Sequence, residues 1–275
     1  MGYRLRKQII IGIIFILILV LIGTGVYFAW FKQVPTCTDG IKNQGEENVD
    51  CGGLCLSCEY RTIKDIEVQL VKFLPLKENR YDLMAKTSNP NSNYGLQKIK
   101  YVFKLYGAAG NLLKEQTGSN FILPKQNKYL VEGSVAADGA VARVEFSIEK
   151  PDITEWQKLK EGYNLDLYIQ DRQFKSSDDL FDAAQASGVI KNNSNFDFNT
   201  VYVSVILFNE SKEIVGVNKT EAQTIPAGGE RYFSVSWPAS FGADVKSFDM
   251  QVDTNLFSDA NFMRQYGEGE PFQQY

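Results

Sequence analysis

The feature that most constrains this chain is an apolar run near its N-terminus. Residues 9–30, 22 in all, carry no charge, and Thr24 is the only clearly polar side chain among them. At about 1.5 Å per residue they would form a helix roughly 33 Å long, enough to cross the ~30 Å hydrocarbon core of a bilayer. Because a backbone in lipid has to satisfy its own hydrogen bonds, we expect a transmembrane helix over residues 9–31.

Charges around this run predict its direction. Arg4, Arg6 and Lys7 precede it, and only Lys32 follows closely. The positive-inside rule then places residues 1–8 in the cytoplasm and the rest of the chain outside the cell membrane. A cleaved signal peptide is the alternative. Its apolar core is usually about 7–15 residues long and ends at small residues, whereas this run is longer and ends in bulky side chains.

Composition argues against several classes of partner and site. Residues 33–275 hold 25 basic and 33 acidic side chains, a formal net charge of −8. We therefore predict no nucleic-acid partner, since that calls for clustered Lys and Arg. The chain has no histidine, which excludes Ser-His-Asp and Cys-His nucleophiles and histidine metal sites. No carboxylate pair stands out by its spacing, so we predict no catalytic residue and no cofactor.

Four cysteines follow the apolar run. Outside the cytosol, such an even and clustered set is typical of disulfides. The surrounding stretch has too few apolar residues for a core, and two bridges could stabilise it by roughly 2–4 kcal/mol each. Four cysteines allow three pairings, and the sequence does not choose among them. The candidate disulfide residues are Cys37, Cys51, Cys55 and Cys58.

Metal sites are alternative interpretations of the same stretch. Four thiolates could hold zinc, although an external setting favours disulfides. The spacing from Cys51 to Cys58 also matches the iron–sulfur motif of radical enzymes, but no alternation of strands and helices follows it. Calcium could bind oxygen ligands in this loop, although the spacing is not that of an EF-hand and a solvated turn is the simpler interpretation. The calcium candidates are Asp39, Asn43, Glu46 and Asp50.

The remaining chain predicts two copies of one β-rich domain. A shift of 102 residues aligns the chain with itself without a gap, placing Leu105 on Leu207 and Phe146 on Phe248. Apolar residues alternate with polar ones in both copies, as in residues 99–105, which is typical of strands with one buried face. About seven short strands in roughly 90 residues predict an immunoglobulin-like β-sandwich for each copy.

Two segments resemble known families. Phe103-Lys104-Leu105-Tyr106-Gly107 resembles the signature of the FxLYD domain, with glycine in place of the acidic residue, and residues 205–209 of the second copy are similar but lack the first aromatic residue. That family consists of extracytoplasmic β-sandwich modules of prokaryotes, so the resemblance implies fold and export, and no catalytic residues. Residues 37–58 resemble a Cys-rich motif of secreted and surface proteins, C-x-D-G-x-x-N-x-x-E followed by D-C-G-G-x-C-x-x-C, which implies an extracytoplasmic setting.

These features predict a mainly β chain with one N-terminal transmembrane helix, a Cys-rich neck and two tandem immunoglobulin-like β-sandwiches. The predicted segments are a cytoplasmic N-terminus (1–8), the helix (9–31), the neck (32–60), the first sandwich (61–150), a linker (151–164), the second sandwich (165–256) and a polar, frayed tail (257–275).

The predicted function follows from this organisation. We expect a membrane-anchored, non-enzymatic binding or structural module of the cell envelope, whose partner is an envelope protein or a surface glycan. An accessory or architectural subunit of a secretion or pilus-type assembly is the alternative.

Overall fold

The N-terminal segment is one long apolar helix. The computed structural model describes residues 2–28, 36–176, 184–237 and 244–267. Helix α1 runs over Tyr3–Val26, and its part Arg6–Val26 is long and apolar enough to cross a membrane. A signal sequence would have the same property, so the helix itself is confirmed and its role as an anchor stays a prediction. The predicted end of the span, residues 29–31, lies outside the described residues.

The chain forms two structural units, residues 1–62 and 63–275. The first unit contains α1 and a Cys-rich loop that ends in a short 3-10 helix, Cys58–Thr62. The second unit consists mainly of antiparallel β-strands.

The first half of the second unit is a sandwich of two antiparallel sheets. Its strands are β1 (Glu67–Pro75), β2 (Arg80–Ser88), β3 (Tyr94–Tyr106), β4 (Leu112–Ile122), β5 (Asn127–Ala136), β6 (Arg143–Ile148) and the short β7 (Trp156–Lys158). One sheet has the order β1-β2-β5 and the other β4-β3-β6, with β7 paired to the start of β3. Side chains that alternate along these strands, among them Leu83, Phe103 and Leu105, are fully buried, as expected where two sheets pack face to face.

The second half repeats this architecture. Its strands are β8 (Leu167–Lys175), β9 (Ala184–Asn192), β10 (Phe198–Phe208), β11 (Ile214–Ile225), β12 (Glu230–Trp237) and β13 (Ser247–Thr254). The sheet orders β8-β9-β12 and β11-β10-β13 match those of the first half strand for strand. The predicted fold class, mainly β with two tandem sandwiches, is confirmed.

The repeat is not free of gaps, so the predicted ungapped alignment is wrong at the last strand. Leu105 pairs with Val144, whereas its counterpart Leu207 pairs with Phe248. Phe248 therefore corresponds to Val144 and not to Phe146. The slip is two residues, and because side chains alternate with a period of two it leaves the apolar residues on the same face. The alternation pattern could not reveal it.

Buried asparagines hold equivalent positions in the two halves. The Asn89 amide nitrogen donates to the carbonyls of Tyr94 (2.7 Å) and Leu123 (3.0 Å). Asn192 makes the corresponding bonds, including one of 2.7 Å to the carbonyl of Phe196. Each asparagine thus ties the turn that follows β2 or β9 to the end of β4 or β11, and supplies donors that buried carbonyls would otherwise lack.

The two sandwiches pack against each other, sheet on sheet. Met84 in β2 and Val131 in β5 belong to one buried cluster with Ile206 in β10 and with Ile214 and Val217 in β11. These residues lie on the faces of their sheets that point away from each sandwich's own core. The second unit therefore has four layers, and the sheets β1-β2-β5 and β11-β10-β13 are the inner two. We call the contact between these inner sheets the junction.

Residues 256–267, which follow the last strand, are structured. Leu256–Ser258 forms a 3-10 turn and Ala260–Tyr266 forms helix α2, whose first turn is capped by the Asp259 carboxylate accepting from the Phe262 N–H (2.8 Å). Phe257 and Phe262 are buried in the core cluster of the second sandwich. The predicted polar, frayed tail is therefore wrong for residues 257–267, because the two phenylalanines close the apolar core. Residues 268–275 lie outside the described part.

The predicted linker, residues 151–164, is ordered as well. Asp152 and Glu155 form a reciprocal capping box around the 3-10 turn Ile153–Glu155. Trp156 and Leu159 are buried, so the segment packs onto the unit instead of spacing the two sandwiches apart.

Replacing Ile206 with alanine tests the junction. A sandwich standing alone would expose this side chain, whereas here it is fully buried. We expect Ile206→Ala to lower the free energy of unfolding by about 2–5 kcal/mol, the usual cost of emptying a buried isoleucine site. The measurement is chemical denaturation of the full chain in detergent, with tryptophan fluorescence as the signal that reports unfolding.

Val102→Ala is the matched control. Val102 lies on the outer face of β3 and is partly exposed, so we expect a change within about 0.5 kcal/mol. Equal, small effects of the two substitutions would contradict the packing of the inner sheets.

Candidate functional site

The Cys-rich loop contains two disulfides. Cys37 is bonded to Cys55, and Cys51 is bonded to Cys58. These bridges select one of the three pairings that the sequence allowed. A structural zinc site needs Cys thiolates. The four sulfurs are bonded in disulfides and are therefore not thiolates.

The Cys37 and Cys55 sulfurs and the Glu46 carboxylate lie within 4.8 Å of one another. Because the two sulfurs are bonded to each other, this cluster offers one carboxylate and no thiolate. One carboxylate is too few ligands for a metal centre, and a disulfide sulfur does not replace the thiolate that binds metal.

Asp39 stabilises a turn within this loop. Its carboxylate accepts hydrogen bonds from the Asn43 side chain (2.9 Å) and from the backbone N–H groups of Thr36 (3.1 Å) and Ile41 (2.8 Å). Together these bonds, that of Asn43 first, lower the pKa of Asp39 because they favour the charged form.

Glu46 and Asp50 have comparable roles. Glu46 is buried and its Oε2 accepts from the backbone N–H groups of Asn43 (3.2 Å) and Asp50 (3.0 Å). The Asp50 carboxylate accepts from the N–H of Gly40 (2.9 Å). The four calcium candidates thus share one loop, where the three carboxylates accept hydrogen bonds from backbone N–H groups and the Asn43 amide donates to one of them. Calcium binding by this loop stays a prediction.

Reduction tests the disulfide framework. With the bridges intact, we expect the full chain to show no free thiol and linked peptides for the Cys37–Cys55 and Cys51–Cys58 pairs by mass spectrometry. After reduction we expect new protease cuts within residues 36–62, because the loop loses the closure that stabilises it.

The unit of residues 63–275 serves as the internal control, because it contains no cysteine and should keep its protease resistance after reduction. Four free thiols in the untreated protein, or linked peptides of another pairing, would contradict this framework.

A cleft of about 720 Å³ opens beside the junction in the second unit. Both sandwiches contribute to its walls, which combine hydroxyl, amide and aromatic groups with a few charges. The lining residues include Gln97, Lys98, Ser119, Asn120, Phe121, Lys128, Tyr129, Tyr202, Ser204, Lys219, Thr220, Glu221, Asp253, Asn255 and Ser258.

A buried ion pair crosses the junction at this cleft. The Lys128 ammonium of β5 lies 2.8 Å from Asp253 Oδ2 of β13, and the two side chains are 2% and 6% exposed. The same ammonium sits 3.4 Å from the centre of the Phe121 ring, which adds a cation–π contact. Gln126 donates a side-chain N–H to the same Oδ2 (3.0 Å). Burial lowers the pKa of Lys128, although Asp253 opposes that shift.

Polar side chains join the two sandwiches on either side of this pair. The Gln251 amide accepts from the N–H of Tyr129 (3.1 Å) and donates to the carbonyl of Asn127 (2.5 Å), so it pairs with the β5 backbone as a further strand would. Lys219 pairs with Glu132 (3.3 Å), and Glu132 also accepts from the Tyr101 hydroxyl (2.7 Å). These contacts fix the relative position of the cleft walls.

Tyr202 forms the wall on the side of the second sandwich. Its ring packs on Phe121, with 5.7 Å between ring centres. Burial, and then the charges of Glu221 and Asp253, raise the pKa of Tyr202, so its hydroxyl stays protonated and able to donate at neutral pH. Tyr202 and Asn255 also line a neighbouring hollow of about 220 Å³. Aromatic faces beside hydroxyl and amide groups form a surface suited to a ligand rich in hydroxyl groups.

The sequence predicted none of these lining residues as part of a binding site. They come from both copies and meet only because the inner sheets pack together. One signal was present: Val205-Ile206-Leu207 is a continuous apolar run, which is typical of a strand buried on both faces.

No family model matches this chain, so the resemblance to FxLYD domains stays a prediction. No curated protein matches it either. Among solved structures, the chain is similar to the crystal structure of red sea bream transglutaminase, with 8% identity and a TM-score of 0.21, over 70% of this chain and 29% of that one. It is also similar to the calcium binding domain CBD12 of CALX1.1, with 13% identity and a TM-score of 0.19, over 67% of this chain and 79% of that one. Similarities of this size carry no information on function.

Proposed function

We propose that this chain is a membrane-anchored, surface-displayed and non-enzymatic binding module, and that its ligand is a surface glycan held in the cleft at the junction. Helix α1 serves as the anchor. The disulfide-bonded loop and the two sandwiches lie outside the cell membrane.

Charge and redox chemistry support this orientation independently. Arg4, Arg6 and Lys7 precede the apolar part of α1, which favours a cytoplasmic N-terminus. The bonded cysteines follow the helix in the chain, and disulfides of this kind form in an oxidising compartment.

The cleft is the observation that carries the binding function. Its volume of about 720 Å³ lies within the range of roughly 300–1,000 Å³ that is usual for ligand pockets. Its lining pairs aromatic rings, which can stack on the apolar face of a sugar ring, with hydroxyl and amide groups that can bond sugar hydroxyls. The charge of Lys128 is matched by that of Asp253, and that of Lys219 by that of Glu132, so an uncharged ligand fits better than a strongly anionic one.

The lack of histidine supports a role without catalysis. The chain offers no imidazole to activate the hydroxyl groups of the cleft. We therefore infer that the cleft retains a ligand and does not transform it.

One observation favours the alternative, an accessory subunit of a secretion or pilus-type assembly. Strand β1 is the end strand of its sheet, and Val68 and Leu70 on it are 43% and 41% exposed. An end strand with exposed apolar side chains can pair with a strand of another protein. Co-purification of the full chain in a complex of fixed stoichiometry would favour this role over free display.

Binding of the detergent-solubilised full chain to a panel of immobilised neutral oligosaccharides tests the proposal. We expect Tyr202→Ala to weaken binding about two- to twelvefold, since the loss of one aromatic contact is worth roughly 0.5–1.5 kcal/mol.

Tyr232→Ala is the matched control, because Tyr232 is 63% exposed on β12, outside the cleft, and its loss should leave binding unchanged. Thermal unfolding of both variants verifies that they are folded. No binding to any oligosaccharide, or equal binding by both variants, would overturn the assignment of a glycan to the cleft.

A further inference from the structure

The pair of Lys128 and Asp253 differs from every other ion pair among the described residues. In each of the others, at least one side chain is 47% exposed or more. Here both partners are buried, at 2% and 6%. Glycan binding at the cleft does not require a charged pair in this position.

Burial makes the charged state of this pair costly. Moving a carboxylate and an ammonium out of water carries a large free-energy cost for each ion, and their mutual attraction often fails to offset it. A chemical change that removed both charges would remove that cost. The amine and the carboxyl group are the two reactants of an amide bond.

We propose that Lys128 and Asp253 condense into an intramolecular isopeptide bond, which joins β5 of the first sandwich to β13 of the second. In this step Lys128 Nζ forms a bond to Asp253 Cγ and the bond from Cγ to one carboxyl oxygen breaks. That oxygen leaves as water with two of the three ammonium protons, and the third proton remains on the amide nitrogen. No oxidant, reductant or further reactant is consumed.

The geometry favours this reaction in three ways. The Lys128 amine is held 2.8 Å from a carboxyl oxygen of Asp253, and reactants fixed in contact gain the effective concentration of an intramolecular reaction. Phe121 and the surrounding sheets exclude bulk water from the amine. The Gln126 N–H bonded to Oδ2 (3.0 Å) can stabilise the negative charge that develops on this oxygen during attack.

Two further features agree with the assignment. Burial lowers the pKa of Lys128 and so increases the fraction of neutral amine, which is the nucleophile. Lys128 and Asp253 both line the cleft, so the released water has a path to solvent.

The bond would fasten the junction covalently. The sequence separation between Lys128 and Asp253 is 125 residues, so the crosslink would close a loop that includes most of the second sandwich. Such a link resists unfolding of the junction because it restricts the unfolded chain, as a disulfide does. It would do so in a unit that has no cysteine of its own.

Mass spectrometry of the full chain, denatured and reduced, tests the proposal. We expect the intact mass to be lower than the sequence mass by one water molecule. We also expect digestion to yield one branched peptide in which the segment around Lys128 is linked to the segment around Asp253. The full sequence mass together with linear peptides for both residues, or a loss of water without the branched peptide, would overturn the proposal.

Three variants separate the crosslink from other modifications. Lys128→Arg has no primary amine and should show the full sequence mass. Asp253→Asn can condense with release of ammonia. Its branched peptide should have the same mass as the branched peptide of the original protein. Lys191→Arg alters the partly exposed pair of Lys191 and Glu230 and should keep the deficit of one water. A branched peptide in Lys128→Arg, or its absence in Lys191→Arg, would contradict the assignment.

Discussion

The contact between the two inner sheets is the interaction on which the rest of the second unit depends. Met84 and Val131 on one sheet meet Ile206 and Val217 on the other, so both faces of β2 and of β10 are buried. Apolar burial is the main favourable term in such packing. Because it fixes one sandwich against the other, it turns two repeats into one body, and it determines which polar groups come together beside it.

The cleft and the buried ion pair are consequences of this contact. Lys128 belongs to the first sandwich and Asp253 to the second. The Lys128 Nζ lies 2.8 Å from Asp253 Oδ2 only because the inner sheets are in register. Gln251 reaches across to the backbone of β5 on the same face of β13. A binding site formed in this way is as rigid as the junction itself, and rigidity reduces the entropy lost on binding.

The sequence predicted the elements well and their assembly poorly. The apolar run and the cysteines predicted the helix and the disulfides through local chemistry, and alternation predicted the strands. The junction was missed because Gln251 and Asp253 lie on the polar face of β13, and a polar face is normally one that faces solvent. The ordered residues after Asn255 were missed for a similar reason: Phe257 and Phe262 stand in a polar context and are buried only by tertiary packing. Long-range pairing of this kind leaves little trace in local patterns.

The cleft and the crosslink both require that the two sandwiches form one rigid body. Spin labels on cysteines introduced at Lys114 and Tyr232, which are exposed on different sandwiches, would measure the distance between them by pulsed electron paramagnetic resonance. The four native cysteines are bonded and so remain unlabelled. A single narrow distance distribution is the expected result. A broad distribution, as two sandwiches joined by a free linker would give, would contradict the packing and with it the cleft and the crosslink.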